Sequence, residues 1–309
     1  MTVRTTVRVL RMGTRKSALA MIQSTGFAES LAYRTGTDVE TVGVVTEGDV
    51  NGAPITSFGG LGVFVQAVRG ALLSGRVDFA VHSCKDLPTA PAEGILTAAI
   101  PAREDPRDAL VTATGATFDA LPAGAAIGTG SPRRTSQLLA LRPDLKIVPI
   151  RGNVDTRLHK VDSGELDGVV LAAAGLDRLG LGDRAVERFA PERLLPSPAQ
   201  GALAVECRSA DGPVAALLAR LDDAGTRAAA TAERAALARL EGGCSAPVGA
   251  HAVVRDDSLE LTVAVTALDG SRRLVRSHRG PAVQAVETGR TVADELLADG
   301  AAELLGGVR

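Results

Sequence analysis

The stretch Gly128–Arg157, GTGSPRRTSQLLALRPDLKIVPIRGNVDTR, contains two turns that read as the starts of helices. Ser131 suits an N-cap, and Pro132 suits the first helical position, where its missing N–H costs nothing. A helix beginning there carries Arg133 and Arg134 in its first turn, opposed to the positive end of the helix dipole by roughly 0.3–1 kcal/mol each. Carboxylates would be the stabilising choice at that end, so the turn reads as one that awaits an anion. Asn153 can cap a second helix between Arg151 and Arg157. Thr14-Arg15-Lys16-Ser17 repeats the pattern between an apolar strand and a helix. Three cation-rich strand-to-helix turns suggest one polyanionic ligand held in a cleft. A compositional reading stands beside this one. Only four of the 34 basic residues are lysines, and in so Arg-rich a chain many guanidinium groups are simply solvated.

The chain as a whole limits what that ligand can be. Aromatic residues make up 2 % of the sequence and Trp is absent, which argues against stacking on nucleic-acid bases. A formal net charge of −2 leaves no general affinity for nucleic acid, so any basic site is local. Cys84, Cys207 and Cys244 are odd in number and form no C-x-x-C, so neither a disulfide framework nor a zinc knuckle is expected. His82, His159, His251 and His278 are scattered without metal-ligand spacing. The opening MTVRTTVRVLRMG lacks the apolar centre of a signal peptide, and no apolar run approaches the ~18 residues of a membrane span. The expectation is a cytoplasmic protein with no metal, no nucleic acid and no membrane partner.

Outward from the opening stretch, β and α patterns alternate. Val3–Met12 alternates like a strand, and a helix opening at Ser17 puts Leu19, Ile22, Phe27 and Leu31 on one side, with Gly36 past its end. Val39–Val45 reads as a strand, residues 46–62 as a glycine-rich connection, Val63–Ser74 as a helix and Arg76–His82 as a buried strand. Ile95–Ile100 and Ala109–Thr112 are short strands around the charged loop AREDPRD. The same grammar then repeats, with strands 125–127, 145–150 and 168–173 each leading into a helix. Such alternation with short links implies parallel sheets covered on both faces, in two lobes facing a cleft. Pro191–Pro198 reads as a linker and Gln200–Cys207 as a further strand. Helix 226–240, strands 247–254, 258–267 and 272–278, and a final helix from about 282 indicate a small α+β domain.

Two further turns carry reactive side chains. Ser83-Cys84-Lys85-Asp86-Leu87-Pro88 follows a strand, where ligands of α/β sheets bind. Lys85 could meet a substrate carboxylate and Asp86 could move a proton, although an ordinary turn with a solvent-facing ion pair fits the spacing equally well. Cys244 sits in Leu-Glu-Gly-Gly-Cys-Ser-Ala-Pro, where the glycines permit close approach of another group. A small buried thiol is the alternative there.

Seven motifs occur in register: TRKSALA (14–20), AVHSCKDLP (80–88), REDPRDAL (103–110), GTGSPRR (128–134), RGNVDTRL (151–158), AQGALAVECR (199–208) and LEGGCSAPVGAH (240–251). Together they resemble the hydroxymethylbilane synthase, or porphobilinogen deaminase, family over nearly the whole chain. That resemblance implies two periplasmic-binding-protein-like α/β lobes facing a cleft, plus a small C-terminal α+β domain with a three-stranded sheet. The implied boundaries are residues 1–104 with 200–222, residues 105–199, and residues 223–309. It further implies a monomeric transferase of porphyrin and haem biosynthesis. Such an enzyme joins four porphobilinogen molecules into linear hydroxymethylbilane, with loss of ammonia, from a dipyrromethane cofactor.

Each pyrrole bears an acetate and a propionate, so the growing chain is itself a polyanion. The resemblance assigns the thioether attachment of dipyrromethane to Cys244. It places Lys85, Asp86, Ser131, Arg133 and Arg134 around the cofactor, and Arg15, Ser17, Phe64, Thr129, Arg151, Arg157, Gln200 and Gly201 around the substrate. Asp86 becomes the catalytic carboxylate, bonding pyrrole N–H groups and stabilising the cationic azafulvene. Arg suits such a site because its planar fork meets a carboxylate through two bonds. Two departures stand out. Relatives often carry TRGD and GKGLF where this chain has Thr46-Glu47-Gly48-Asp49 and Leu61-Gly62-Val63-Phe64, and Cys84 replaces a common Met. A two-lobed anion-binding protein without chemistry is the other reading, and it needs neither Cys244 nor Asp86.

Overall fold

The computed structural model describes residues 9–44, 62–241 and 246–306, the side chains of 62–64 excepted. In chain order the elements begin with β1 (Leu10–Arg15), α1 (Ala18–Thr35), β2 (Val39–Val44), α2 (Gly62–Leu73), β3 (Phe79–Ser83) and β4 (Ile95–Ala99). There follow β5 (Asp108–Thr112), β6 (Ala126–Gly128), α3 (Pro132–Leu141), β7 (Lys146–Val148), α4 (Val154–Asp162), β8 (Gly168–Ala172), α5 (Ala173–Arg178) and β9 (Glu187–Arg188). The last are β10 (Leu203–Arg208), α6 (Gly212–Leu218), α7 (Ala224–Arg239), β11 (Val248–Arg255), β12 (Ser258–Thr266), β13 (Arg273–Pro281), α8 (Ala285–Ala298) and α9 (Ala301–Gly306). The chain divides into one unit of Met1–Ala102 with Leu203–Ala224 and a second of Arg103–Ala202 with Gly225–Arg309.

The sheet of the first unit has the order β2-β1-β3-β10-β4. Helix α1 presses Phe27, Ala28 and Leu31 onto Leu10, Met12 and Phe79, with the rings of Phe27 and Phe79 edge to face at 5.9 Å. Each fully buried large side chain in such a seam contributes about 1.5–3 kcal/mol. The buried stripe of α1 is Gln23, Ser24, Phe27, Ala28 and Leu31. Ile22, expected on that face, is 43 % exposed, because two polar residues occupy the inward positions beside it. Gly36 closes α1 in a left-handed conformation (φ 69°) and donates its N–H to the Ala32 carbonyl.

In the second unit the sheet runs β7-β6-β8-β5-β9. Neither five-stranded sheet is wholly parallel, which corrects the expectation drawn from the alternation. Strand β10 lies antiparallel to β3 and β4, and β5 antiparallel to β8 and β9. The physical reason is the same in both sheets. These strands enter from outside the local strand–helix–strand run, so no right-handed crossover dictates their direction. The third sheet is the antiparallel series β11-β12-β13, closed by α8 over a core that includes Leu259, Leu261, Val263, Val292 and Leu296.

Residues 191–198 also differ from expectation. Leu194 and Leu195 are buried, and Gln137 of α3 both donates to the Leu195 carbonyl and accepts from its N–H. Ala250 of β11 donates to the Pro196 carbonyl, so this segment is packed and hydrogen-bonded rather than a solvated connection.

Candidate active site

In the first unit, the parallel pairing of Met12 with Phe79 and Gly13 with Ala80 brings the carboxyl ends of β1 and β3 out side by side. Arg15 and Ser17 follow the first end. Cys84–Asp86, a single 3-10 turn, follows the second. Ser17 holds the N-cap position of α1 in extended backbone, but its hydroxyl is not spent on capping the helix. Ser83 Oγ donates to Gln23 Oε1 at 3.2 Å, and Ser24 Oγ donates to Thr14 Oγ1 at 2.7 Å, tying the helix to both strand ends. Lys85 and Asp86 are half-buried, while Cys84 is buried. Within the same sheet, the Glu206 carboxylate of β10 accepts from Arg69 at 2.9 and 2.6 Å and lies 3.4 Å from His82 Nε2. Burial works to raise the Glu206 carboxyl, but the hydrogen bonds from Arg69 and the nearby His82 ring outweigh it and hold the group at about 2.

The second unit holds the cation-rich turns. Ser131 caps α3, its Oγ accepting from Arg134 N at 3.4 Å, with Pro132 at the first position. Thr129 Oγ1 accepts from Ser131 N at 3.2 Å. A Cβ at Gly130 would stand 2.5 Å from the Ile150 carbonyl oxygen, so only glycine lets this turn lie against the neighbouring strand end. Asn153 caps α4, accepting from Thr156 N at 2.8 Å.

Arg133 and Arg134 turn inward. Arg133 Nη1 donates to Asp108 Oδ2 and to the Leu195 carbonyl, both at 2.7 Å. Arg134 donates to Asp108 Oδ1 through Nε at 3.0 Å and Nη2 at 2.7 Å, and to the Val170 carbonyl through Nη1 at 3.0 Å. Burial works to raise the Asp108 carboxyl, yet Arg133 and then Arg134 hold it well below the usual carboxylate range. Burial likewise pushes the Arg133 guanidinium down. This revises the picture of a helix start awaiting an external anion. Its first counter-charge is internal, and one carboxylate against two guanidinium groups leaves a formal charge of +1. Arg133 Nε remains buried without an acceptor among the described residues. An unpaired buried donor costs about 1–3 kcal/mol, a cost that an acceptor supplied by a ligand would remove.

Arg157 joins the group. Its Nε donates to the Gly152 carbonyl at 3.0 Å, and its guanidinium is pushed down by burial and then by the charge of Arg134. Arg151 is exposed. Gln200 is 1 % exposed, and its amide donates to Asp108 Oδ1 at 2.9 Å and to the Pro106 carbonyl at 2.8 Å. Its turn is unusual, with Ala199 at φ 59° and Gly201 at φ 87°. A Cβ at Gly201 would fall 2.5 Å from the Glu104 carbonyl oxygen. Beneath it, Arg103 Nε donates to the Gln200 carbonyl at 2.6 Å, and Glu233 accepts from Ala199 N at 2.5 Å.

With Ser131 capping the helix that carries both arginines, the structure therefore gathers Arg133, Arg134 and Gln200 on Asp108, a residue not singled out from the sequence. Its signal was an aspartate at the edge of the otherwise apolar strand Ala109–Thr112. Arg178 was missed as well. It lies in α5 just beyond the carboxyl end of β8, its Nη2 donates to the Gly201 carbonyl at 2.9 Å, and burial pushes its guanidinium down. Cys244, the Phe64 side chain and nearly all of the 46–62 connection lie outside the described residues.

Comparison with known proteins adds to this geometry. Residues 10–216 match the family model described as porphobilinogen deaminase, dipyromethane cofactor binding domain, and residues 228–298 match its C-terminal domain. A porphobilinogen deaminase of Thermobifida fusca is 54 % identical over 306 residues, covering 96 % of this chain and 95 % of that protein. One from Mycobacterium tuberculosis is 52 % identical over 310 residues, covering 97 % and 100 %. Among solved structures, the methionine-binding protein MetQ aligns with a TM-score of 0.45 at 11 % identity, over 69 % of this chain and 89 % of its own. A periplasmic substrate-binding protein from Coxiella burnetii aligns with a TM-score of 0.43 at 16 % identity, over 69 % and 91 %.

Proposed function

The chain belongs to the porphobilinogen deaminase family, and from that premise we propose how its own residues carry out the assembly of hydroxymethylbilane from four porphobilinogen molecules with loss of ammonia. The observation that carries the reading is the pair Arg133 and Arg134 on one buried carboxylate, with an unsatisfied Nε–H on Arg133 and the charge of Arg134 acting on Arg157. Such a site is short of negative charge and short of an acceptor, and the acetate and propionate groups of pyrroles supply both.

Ser131, Arg133, Arg134 and Lys85 hold the carboxylates of the dipyrromethane, whose attachment point is Cys244. When bound, that group supplies a tethered end, so each addition proceeds without rebinding of the growing chain. Arg15, Ser17, Thr129, Arg151, Arg157, Gln200, Gly201 and Phe64 serve the incoming substrate. Arg178 extends the set of cations on the substrate side. Asp86 accepts hydrogen bonds from pyrrole N–H groups, balances the positive charge that develops as ammonia departs, and carries the proton released on coupling. The enzyme acts as a monomer in the cytoplasm, without nucleic acid. No helix among the described residues is long and apolar enough to cross a membrane.

The intact mass of the denatured protein tests this reading. The expected result is a covalent excess of two pyrrole units in the wild-type chain, absent from Cys244→Ser. A bare polypeptide mass in turning-over enzyme would refute the tether and leave an anion-binding protein without this chemistry.

A further inference from the structure

We propose that Asp108 is a positioning residue for the primer: it sets the two guanidinium forks of Arg133 and Arg134 at the spacing that the tethered pyrrole carboxylates require. The proposal rests on the assignment of those arginines to the dipyrromethane carboxylates.

Topology puts Asp108 where it can act. Strands β6 and β8 run parallel, pairing Gly128 with Val169, and end at the side of the sheet where ligands bind. Strand β5 runs the other way, pairing Asp108 with Ala172. Its first residue, rather than its last, therefore lies at that side. An acid at this position is level with the start of α3 and its two arginines.

The geometry divides the carboxylate between distinct tasks. Oδ2 takes Arg133 Nη1 at 2.7 Å, while Oδ1 takes Arg134 Nε and Nη2 and the Gln200 amide. Each guanidinium is fixed at a second point, Arg133 by the Leu195 carbonyl and Arg134 by the Val170 carbonyl. Two anchors fix the plane of each fork. Arg133 Nε is left over, a buried donor without an acceptor among the described residues, and so the pair retains an N–H for a ligand oxygen. Charge accounting agrees. With Asp108 in place the pair keeps one net positive charge for a ligand. Without it, a ligand carboxylate would be drawn down between the two guanidinium groups into the buried position that Asp108 now fills.

Asp108→Glu and Asp108→Asn, prepared as full chains beside the wild type, test this. Dipyrromethane carried per folded chain is read from intact mass and circular dichroism, and kcat and KM are measured on the loaded fraction. Asp108→Glu keeps the charge but moves the carboxylate out by one methylene. It is expected to carry at least tenfold less dipyrromethane per folded chain. Its loaded fraction should show kcat reduced at least tenfold with KM for porphobilinogen within threefold, since the pair grips the primer and not the incoming monomer. Asp108→Asn should lose at least as much. Loading and kcat within twofold of wild type per folded chain in Asp108→Glu, or losses that only follow the amount of folded protein, overturn the positioning role and leave a purely structural one. A wild-type chain without the two-pyrrole mass overturns instead the reading on which the proposal depends.

Discussion

Replacement of Glu233 by Gln probes the support beneath the Gln200 turn. Glu233 is 0 % exposed, and its carboxylate accepts from Arg103 Nη1 at 2.6 Å and Nη2 at 3.0 Å, from Ala199 N at 2.5 Å and from Ala252 N at 2.7 Å. The amide has nearly the same shape but only one acceptor oxygen, and its NH2 group must face donors. Two or more of the four bonds are lost and the Arg103 charge stays buried. Removing one partner of a buried pair in this way costs about 3–5 kcal/mol. For a body of roughly 150–250 residues, each kcal/mol shifts the midpoint by about 2–4 °C, so the expected drop is roughly 6–20 °C. The backbone adds a local effect. Ala199 sits at φ 59°, a conformation costly for a residue with a Cβ, and the bonds from Glu233 and Arg103 are what hold that turn. With no Trp in the chain, circular dichroism or calorimetry is the appropriate measurement. A midpoint within 2 °C of wild type (about 1 kcal/mol or less) would show that the four bonds are not what stabilises this part of the fold.

Other perturbations give equally definite outcomes. The Glu206 carboxyl is depressed from 4.5 to about 2, so its stabilisation is complete above pH 4.5 and is lost as pH falls through 2. That shift corresponds to about 3 kcal/mol, and Glu206→Gln should flatten the acid limb of the stability profile between those values; an unchanged acid limb in denaturant titrations counts against the assignment. Gly130→Ala forces the turn away from the Ile150 carbonyl at a cost of about 1–3 kcal/mol, and should lower both the unfolding midpoint and the fraction of chain carrying dipyrromethane. Wild-type loading would show that the turn can yield without moving Arg133. Asp86→Asn keeps the shape of the side chain while removing its charge, and should bind porphobilinogen with turnover reduced by about 10²-fold or more. Near-normal turnover in single-turnover kinetics would remove Asp86 from the chemistry.

Local chemistry was legible in the linear chain wherever neighbours a few residues apart decide the conformation. Ser131 with Pro132, Asn153 and Gly36 mark helix ends because caps act within one turn, and all four occupy those positions. The alternation of strand and helix, and the change to three consecutive strands after residue 247, followed from hydrophobic period alone. The family motifs were equally visible, since they are contiguous. Harder to read was the inner face of α1, where Gln23 and Ser24 displace Ile22 through partners on β3 and β1.

Amino-acid order by itself determined which segments become helices and strands, and that cations crowd the start of α3. Only the tertiary structure decided where those cations point, because their counter-ion lies 25 and 26 residues away on a strand whose direction no local rule dictates. A strand read as parallel would carry Asp108 to the far edge of the sheet; running antiparallel, β5 delivers it to the two guanidinium groups. Pairing across that distance depends on which strands become neighbours, and that is settled by the burial of both sheet faces at once rather than by any residue's own preference.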